Sequence, residues 1–248
     1  MNASVPRAAA MSLAAGLLVC GTFSAQAQDT VVQKDGQRRE GLVTAVRGDS
    51  VRIKVGPAET GVPLDKVASV EKEAPPAFTK ATEAWSAGNS AEALAELKPL
   101  VETFKGLPTP WAQRSLSMLA EVYLAEGQSA QADETLKEFR KFYPASASSL
   151  DLLLGRLALS RKDVVSARQK IEPLASAARQ VKLPGGDDAP LHSQALFLMG
   201  QIDEESGDKP RALENYLLVA TIFNDDPKSA AAATERAKAL EEEKVVVP

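Results

Sequence analysis

Reactive side chains are scarce in this chain of 248 residues, which contains one cysteine and one histidine. A zinc site built on two histidines is therefore excluded, and a Ser-His-Asp triad would have to use His192. Aromatic residues make up only 5% of the sequence, and no apolar run reaches the roughly 18 residues that a membrane-spanning helix needs. The composition argues against most catalytic and metal-binding classes and against a helical membrane anchor.

The first 27 residues have the pattern of a secretory signal peptide. Arg7 supplies the positive end, residues 11–20 the apolar core, and Ala25-Gln26-Ala27 a small-residue cleavage motif. We expect cleavage after Ala27 and a mature protein in the bacterial periplasm. The mature chain would then have no cysteine, which excludes disulfides, thiolate nucleophiles and Cys-ligated zinc.

Cys20 allows a less favoured alternative, in which the leader is a lipoprotein signal. Cys20 would then carry a lipid anchor and the protein would be held at the outer membrane. Val19 argues against this alternative, because the lipoprotein peptidase prefers a small residue directly before the cysteine.

Acidic side chains outnumber basic ones, with 33 Asp and Glu against 29 Lys and Arg, and the formal net charge is −4. Proteins that bind nucleic acid generally carry an excess of basic charge or a basic stripe. The charge balance therefore argues against a nucleic-acid partner.

Residues 28–73 read as a small five-stranded β-domain. Short β-rich runs alternate with turn residues, and Val51, Ile53 and Val55 alternate with Arg52 and Lys54 as a half-buried strand requires. The segment resembles an SH3-like or Sm-like barrel in its order of strands and in one short helical turn before the last strand. Such barrels often bind peptide or RNA, but this segment has no aromatic residue to stack on a ligand. We interpret its basic side chains as the solvated face of the sheet: Arg38, Arg39, Arg47, Arg52 and Lys54.

From residue 74 onward the apolar spacing changes to that of amphipathic helices arranged in pairs. The pair at 113–144 carries nine positions at fixed mutual spacing: Leu116, Leu119, Ala120, Tyr123, Gly127, Ala132, Leu136, Phe139 and Pro144. This set resembles the tetratricopeptide repeat, which has an ideal period of about 34 residues. The small residues allow two helices to approach closely, Gly127 ends the first helix, and Pro144 stops the second.

The alanine at the helix crossing recurs as Ala93, Ala132, Ala167 and Ala212. We therefore predict an α+β multidomain chain, with the barrel followed by an all-α superhelix over 74–244 of about four helix pairs plus a capping helix. The predicted units are listed by range: repeats near 74–106, 110–145, 147–182 and 190–227, and a cap at 228–244. Two departures weaken the later repeats, because Lys162 replaces the turn glycine and Asp203 replaces the tyrosine.

No group of residues in the helical region has the pattern of a catalytic or cofactor site. His192 follows a Pro-rich loop and is interpreted as a surface or capping residue. Asp203, Glu204 and Glu205 are consecutive, so their side chains diverge on a helix, and we expect them to be exposed. The loop at 185–188 lacks the residues of a phosphate-binding or calcium-binding loop. We expect no enzyme activity, no cofactor and no metal.

The resemblance implies a concave groove lined by the first helix of each pair, which in such repeats holds a peptide or a helix of a partner protein. Counting from the anchor positions places these side chains in the groove: Phe78, Trp85, Arg114, Glu121, Leu124, Arg156, Leu159, Phe197 and Gln201. The favoured hypothesis is a non-enzymatic protein-binding scaffold of the cell envelope. Alternatives are self-association as a homo-oligomer without a dedicated ligand and, more distantly, an unrecognised hydrolase.

Overall fold

The computed structural model describes residues 28–182 and 185–247. The signal-peptide prediction, including Cys20 and the cleavage after Ala27, concerns residues outside these ranges. Within them, no helix combines the length and the apolar character needed to cross a lipid bilayer.

The N-terminal part is an antiparallel sheet of five strands, with a short 3₁₀ turn at Leu64–Lys66 before the last strand. The strands are β1 (Asp29–Gln33), β2 (Arg38–Arg47), β3 (Ser50–Val55), β4 (Ala58–Pro63) and β5 (Val67–Glu71). Their order in the sheet is β4-β3-β2-β1-β5, so β4 and β5 lie at opposite edges. The five strands and the helical turn are confirmed, whereas the sheet is open and the predicted closed barrel is not confirmed.

The alternation in β3 places Val51 and Ile53 on the buried face of the sheet, where both are fully buried. On the opposite face Arg52 pairs with Glu59 of β4, with 3.2 Å between Nη2 and Oε2. Arg52 thus has a structural role in a cross-strand pair, in agreement with its interpretation as part of the solvated face.

Nine helices follow within the described residues. They are α1 (Pro76–Ser86), α2 (Ser90–Phe104), α3 (Pro110–Ala125), α4 (Ser129–Phe142), α5 (Ala147–Ser160), α6 (Val164–Gln180), α7 (Ala189–Glu205), α8 (Lys209–Thr221) and α9 (Pro227–Glu242). Consecutive helices pack against each other, and the odd-numbered helices α3, α5, α7 and α9 also contact their odd-numbered neighbours. This is the arrangement of four stacked helix pairs followed by a single helix.

The first helix of each pair ends in the same way, on a residue with left-handed backbone. These residues are Gly88 (φ +79°), Gly127 (φ +68°), Lys162 (φ +59°) and Gly207 (φ +82°). In each case the next N–H bonds back to a carbonyl five residues earlier, as in the 2.8 Å bond from Gln128 N to Tyr123 O. Lys162 therefore adopts the glycine conformation despite its side chain, and the third repeat keeps the register of the others.

Helix α9 ends on the same motif, because Lys244 has φ +63° and Val245 N donates to Leu240 O at 3.1 Å. Ala237, seven residues before Lys244, is buried like the small residues at the same position of the four pairs. The predicted capping helix thus has the register of the first helix of a further repeat, while Glu241, Glu242 and Glu243 are exposed.

Small residues occupy the close contacts within the pairs. The crossing alanines Ala93, Ala132, Ala167 and Ala212 are fully buried, as the repeat pattern predicts. In the fourth pair, a Cβ added at Gly200 would lie 2.5 Å from the ring of Tyr216. The α7–α8 contact is therefore too close for any side chain at this position.

The sheet and the helices share an apolar core. The connection between the first two pairs is lengthened, because 39 residues separate their crossing alanines against an ideal of about 34. Leu107 of this connection is fully buried against the sheet, and Trp111 and Leu100 are buried beside it. Trp111 Nε1 donates to Lys72 O at 3.0 Å, and Tyr143 OH donates to Leu107 O at 3.1 Å. The extra residues of this connection therefore attach the sheet to the helical stack.

Candidate functional site

The first helices of the four pairs and the beginning of α9 surround a groove of about 850 Å³. Eight of the nine side chains predicted from the sequence line it: Trp85, Arg114, Glu121, Leu124, Arg156, Leu159, Phe197 and Gln201. They come from α1, α3, α5 and α7, so the stacking of the pairs brings together residues that are more than 110 positions apart in the chain. We refer to this surface as the concave groove.

Phe78 does not line the concave groove. It is half-buried and packs against both the core of the sheet and the core of the first helix pairs. Its position near the start of α1 is covered by the sheet, which the repeat register alone does not reveal. Phe78 is therefore a packing residue between the sheet and the first helix pairs.

Apolar side chains form one wall of the concave groove. Trp85, Leu124 and Leu159 occupy the same position in successive repeats, three residues before the left-handed residue, and each is only partly buried. Phe197 continues the wall on α7, where its ring lies 5.7 Å from that of Tyr216. Such half-buried aromatic and aliphatic surface can contribute strongly to binding when a partner covers it.

Arg114 and Glu121 form an ion pair two turns apart on α3. The guanidinium contacts both carboxylate oxygens, with Nη1 2.5 Å from Oε1 and Nη2 3.3 Å from Oε2. Arg114 Nη1 also lies 3.3 Å from Ser117 Oγ. This bidentate geometry satisfies both charges within the protein.

Arg156 lies on α5 in the middle of the concave groove and is half-buried. Its Nη2 donates to the amide oxygen of Gln194 at 3.3 Å, and Gln194 Nε2 donates to Asp226 Oδ1 at 3.2 Å. Asp226 in turn caps α9 by accepting from Ser229 N at 2.9 Å. A polar chain therefore connects the centre of the groove to the start of the last helix.

Lys228 closes one side of the concave groove. Its Nζ lies 3.1 Å from Trp85 O and 4.7 Å from the centre of the Trp85 ring, so the last helix contacts the first. Both contacts are electrostatically favourable, because the ammonium group is attracted to the face of the indole ring and to the partial negative charge at the C-terminal end of α1. Sequence reasoning missed Lys228, because nothing local in the pattern places it near a residue 143 positions away.

A second cavity of about 590 Å³ continues the concave surface beyond the Arg114–Glu121 pair. It shares Gln194 with the concave groove and is also lined by Thr109 and Tyr143. Burial raises the pKa of Tyr143 to about 12, so its hydroxyl is neutral at physiological pH. Because the lengthened connection before α3 contributes to this cavity, the period of the repeats alone does not predict it.

The three consecutive carboxylates are less uniform than expected. Asp203 is fully buried, which corrects the expectation that it is exposed, and it accepts from Asn215 Nδ2 at 2.8 Å. Its Oδ1 lies 2.7 Å from Arg168 Nη2 of the preceding pair. Glu204 is half-buried and bonded to Tyr216 OH at 3.0 Å and to Arg236. Asp203 and Glu204 are therefore engaged in contacts between repeats.

His192 lies in the first turn of α7 and is half-buried. Its backbone N–H donates to Asp188 O at 2.9 Å, as expected for a residue at the start of a helix. Across 28–182 and 185–247, no three His, Cys, Asp or Glu side chains are placed to hold a metal ion together.

A family model described as tetratricopeptide repeat matches residues 114–146, which comprise most of α3, all of α4 and the turn that follows. The match falls on the pair whose nine anchor residues are recognisable in the sequence. No curated protein matches the chain. The match and the stacked helix pairs support a tetratricopeptide-repeat-like protein, and repeats of this kind typically serve protein–protein interaction through their concave surface.

Proposed function

We propose that this protein is a non-enzymatic scaffold of the bacterial cell envelope, which holds a segment of a partner protein in the concave groove. The observation that carries the proposal is the groove itself, where side chains of four helix pairs converge on one surface. Its half-buried tryptophan, phenylalanine and arginine are residue types that are enriched at protein interfaces, and tryptophan and arginine are also enriched among the residues that contribute most to binding.

The charged side chains of the concave groove favour binding of a partner over catalysis. Of its ionisable side chains, Arg114 and Glu121 satisfy each other, and Asp226 caps a helix. A hydrolytic mechanism would need a nucleophile or an acid and base placed around a substrate. The groove residues instead make contacts that fix the walls of a binding surface.

The experiment is crosslinking in the native cell, followed by identification of the crosslinked protein. Ala125 is exposed on the groove side of α3, so Ala125→Trp should block the groove without changing the core. Ala130 is exposed on α4 outside the groove, and Ala130→Trp is the matched control. We expect the partner to be lost with Ala125→Trp and kept with Ala130→Trp. Equal crosslinking in both variants would contradict binding in the groove.

Location in the envelope rests on the leader pattern of residues 1–27. We expect the protein in the periplasmic fraction with Gln28 as its first residue, measured by N-terminal sequencing. Cys20→Ser should leave this distribution unchanged, whereas loss from a membrane fraction would support the lipid-anchored alternative. A product that keeps its leader and stays in the cytoplasm would contradict export.

Self-association is the second candidate, and the open sheet favours it. Among the described strands, edge strand β4 pairs with β3 alone, and Val55, opposite Ala58 of β4, is 51% exposed. Unpaired strand edges beside exposed apolar residues are typical sites of contact between copies. Light scattering on the purified protein tests this candidate, since a monomer at all concentrations excludes it.

A further inference from the structure

Arg156 differs from the other arginine of the concave groove, because among the described residues it has no acidic partner. Arg114 is neutralised by Glu121, whereas the contact of Arg156 is to the neutral amide oxygen of Gln194 at 3.3 Å. No acidic side chain of the described ranges forms an ion pair with Arg156. The centre of the groove therefore carries a half-buried positive charge whose remaining contacts are available to a ligand.

The surroundings of Arg156 decide what a ligand must supply. Leu159 lies one turn further along α5, and Leu124 and Phe197 line the same groove from the neighbouring repeats. A partner segment that covers these apolar side chains also removes water from the guanidinium. A dehydrated charge without a counter-charge opposes binding, and a carboxylate placed against it forms a short charge-assisted pair.

Lys228 is the other cation of the concave groove that forms no ion pair with a described residue. It is exposed, and its Nζ is already held by Trp85 O at 3.1 Å and by the Trp85 ring, so a bound segment need not supply a carboxylate for it.

The number of carboxylates follows from the remaining charges of the groove. Arg114 is already paired with Glu121 in bidentate geometry, so it offers little to an additional acid. Asp226, on the far side of Gln194, repels further negative charge. Arg156 is thus matched to one acidic side chain.

We propose that the partner segment presents a single Asp or Glu side chain, flanked by apolar residues, to Arg156 in the concave groove. This inference rests on the proposed function, because it names the chemistry of the segment that the groove holds. The carboxylate is that of a side chain within the segment, since the groove continues past Arg114 into the second cavity and does not end at Arg156.

The test is selection of random 12-residue peptides, displayed on phage as fusions without a free C-terminal carboxylate, on the purified protein. We expect enriched peptides to carry one acidic residue between apolar residues. Their binding should be lost with Ala125→Trp and kept with Ala130→Trp. Arg156→Gln should weaken binding roughly 10- to 100-fold, and the matched control Arg140→Gln, at an exposed site on α4, should not.

A double-mutant cycle connects the two charges. Changing the peptide acid to its amide should weaken binding to the unmodified protein as much as Arg156→Gln does, and should have little further effect on that variant. Groove-dependent peptides that lack an acid and are insensitive to Arg156→Gln would overturn this inference and leave the proposed function standing. If no selected peptide responds to Ala125→Trp, both fail.

Discussion

Substitution of Lys162 by glycine would measure the backbone strain at the end of the first helix of the third repeat. Its φ of +59° places it where Gly88, Gly127 and Gly207 stand in the other pairs. Left-handed backbone costs a residue with a side chain roughly 1–2 kcal/mol, and the greater freedom of glycine in the unfolded chain offsets roughly 0.5–1 kcal/mol of the relief. Lys162→Gly should therefore stabilise the fold by about 0.5 to 1 kcal/mol.

The structure indicates that little else changes with this substitution. Lys162 is exposed, and its backbone bond to Leu159 O at 2.9 Å does not involve the side chain. The measurement is the midpoint of urea unfolding, together with the thermal midpoint, which should rise by roughly 1–4 °C. Lys162→Ala serves as a control for the lost charge, because it keeps a Cβ in the left-handed region and should be close to neutral.

The reverse substitution isolates the same effect in the fourth pair. A Cβ added at Gly207 would meet open space, so Gly207→Lys should lose stability through the backbone alone, by about 1 kcal/mol. If Lys162→Gly is neutral or destabilising while Gly207→Lys destabilises, the reasoning is refuted, because the lysine side chain would then contribute stability that the structure does not show.

Three further predictions concern packing and ionisation. Gly200→Ala should cost about 1–3 kcal/mol in thermal unfolding, because its methyl would meet the ring of Tyr216; Ala231→Gly, at an exposed site on α9, should cost at most about 1 kcal/mol. Leu107→Ala should cost about 2–5 kcal/mol and speed proteolysis within residues 28–73, because it leaves a cavity between sheet and helices; an unchanged cleavage rate would contradict the shared core. The pKa of Tyr143 is raised from 10.0 to about 12, so the stability that its neutral hydroxyl contributes is complete below pH 10 and is lost as the pH rises towards 12. Tyr143→Phe should therefore reduce the loss of stability at alkaline pH, measured by denaturant titration. Part of that loss should remain, because burial also raises the pKa of Tyr216.

The residues of the groove could be predicted because the repeat has a strict register. Once Gly127 and Ala132 identify the end of one helix and the crossing of the next, the positions that face the concave side follow from helical spacing. For Asp203 the repeat register predicts burial, whereas its charge alone predicts exposure, and the register is correct. It occupies the position of a buried tyrosine in the repeat pattern, and it is buried, with Arg168 and Asn215 as its partners.

The packing of the sheet against the helices was harder to predict from the sequence. Leu107 reads as part of the lengthened connection and Trp111 as the start of the second repeat, although residues 28–73 contain no aromatic side chain and so have little material for a core of their own. A small sheet with a core built largely from valine gains stability if other apolar residues cover it. The unusual connection, with one of the two tryptophans of the chain at its end, was the available signal.

The contact between Lys228 and Trp85 depends on a property that periodicity does not contain. The register of each pair determines which residues touch within a pair and between neighbours, but the curvature of the stack is the sum of small rotations at every connection. Two of these connections are lengthened, since 39 residues separate the crossing alanines of the first two pairs and 45 separate those of the last two. Their effect on the rotation depends on three-dimensional packing. Whether the first and last helices meet across the groove is therefore decided by the whole stack, and a change in one connection would alter the width of the groove without altering any residue that lines it.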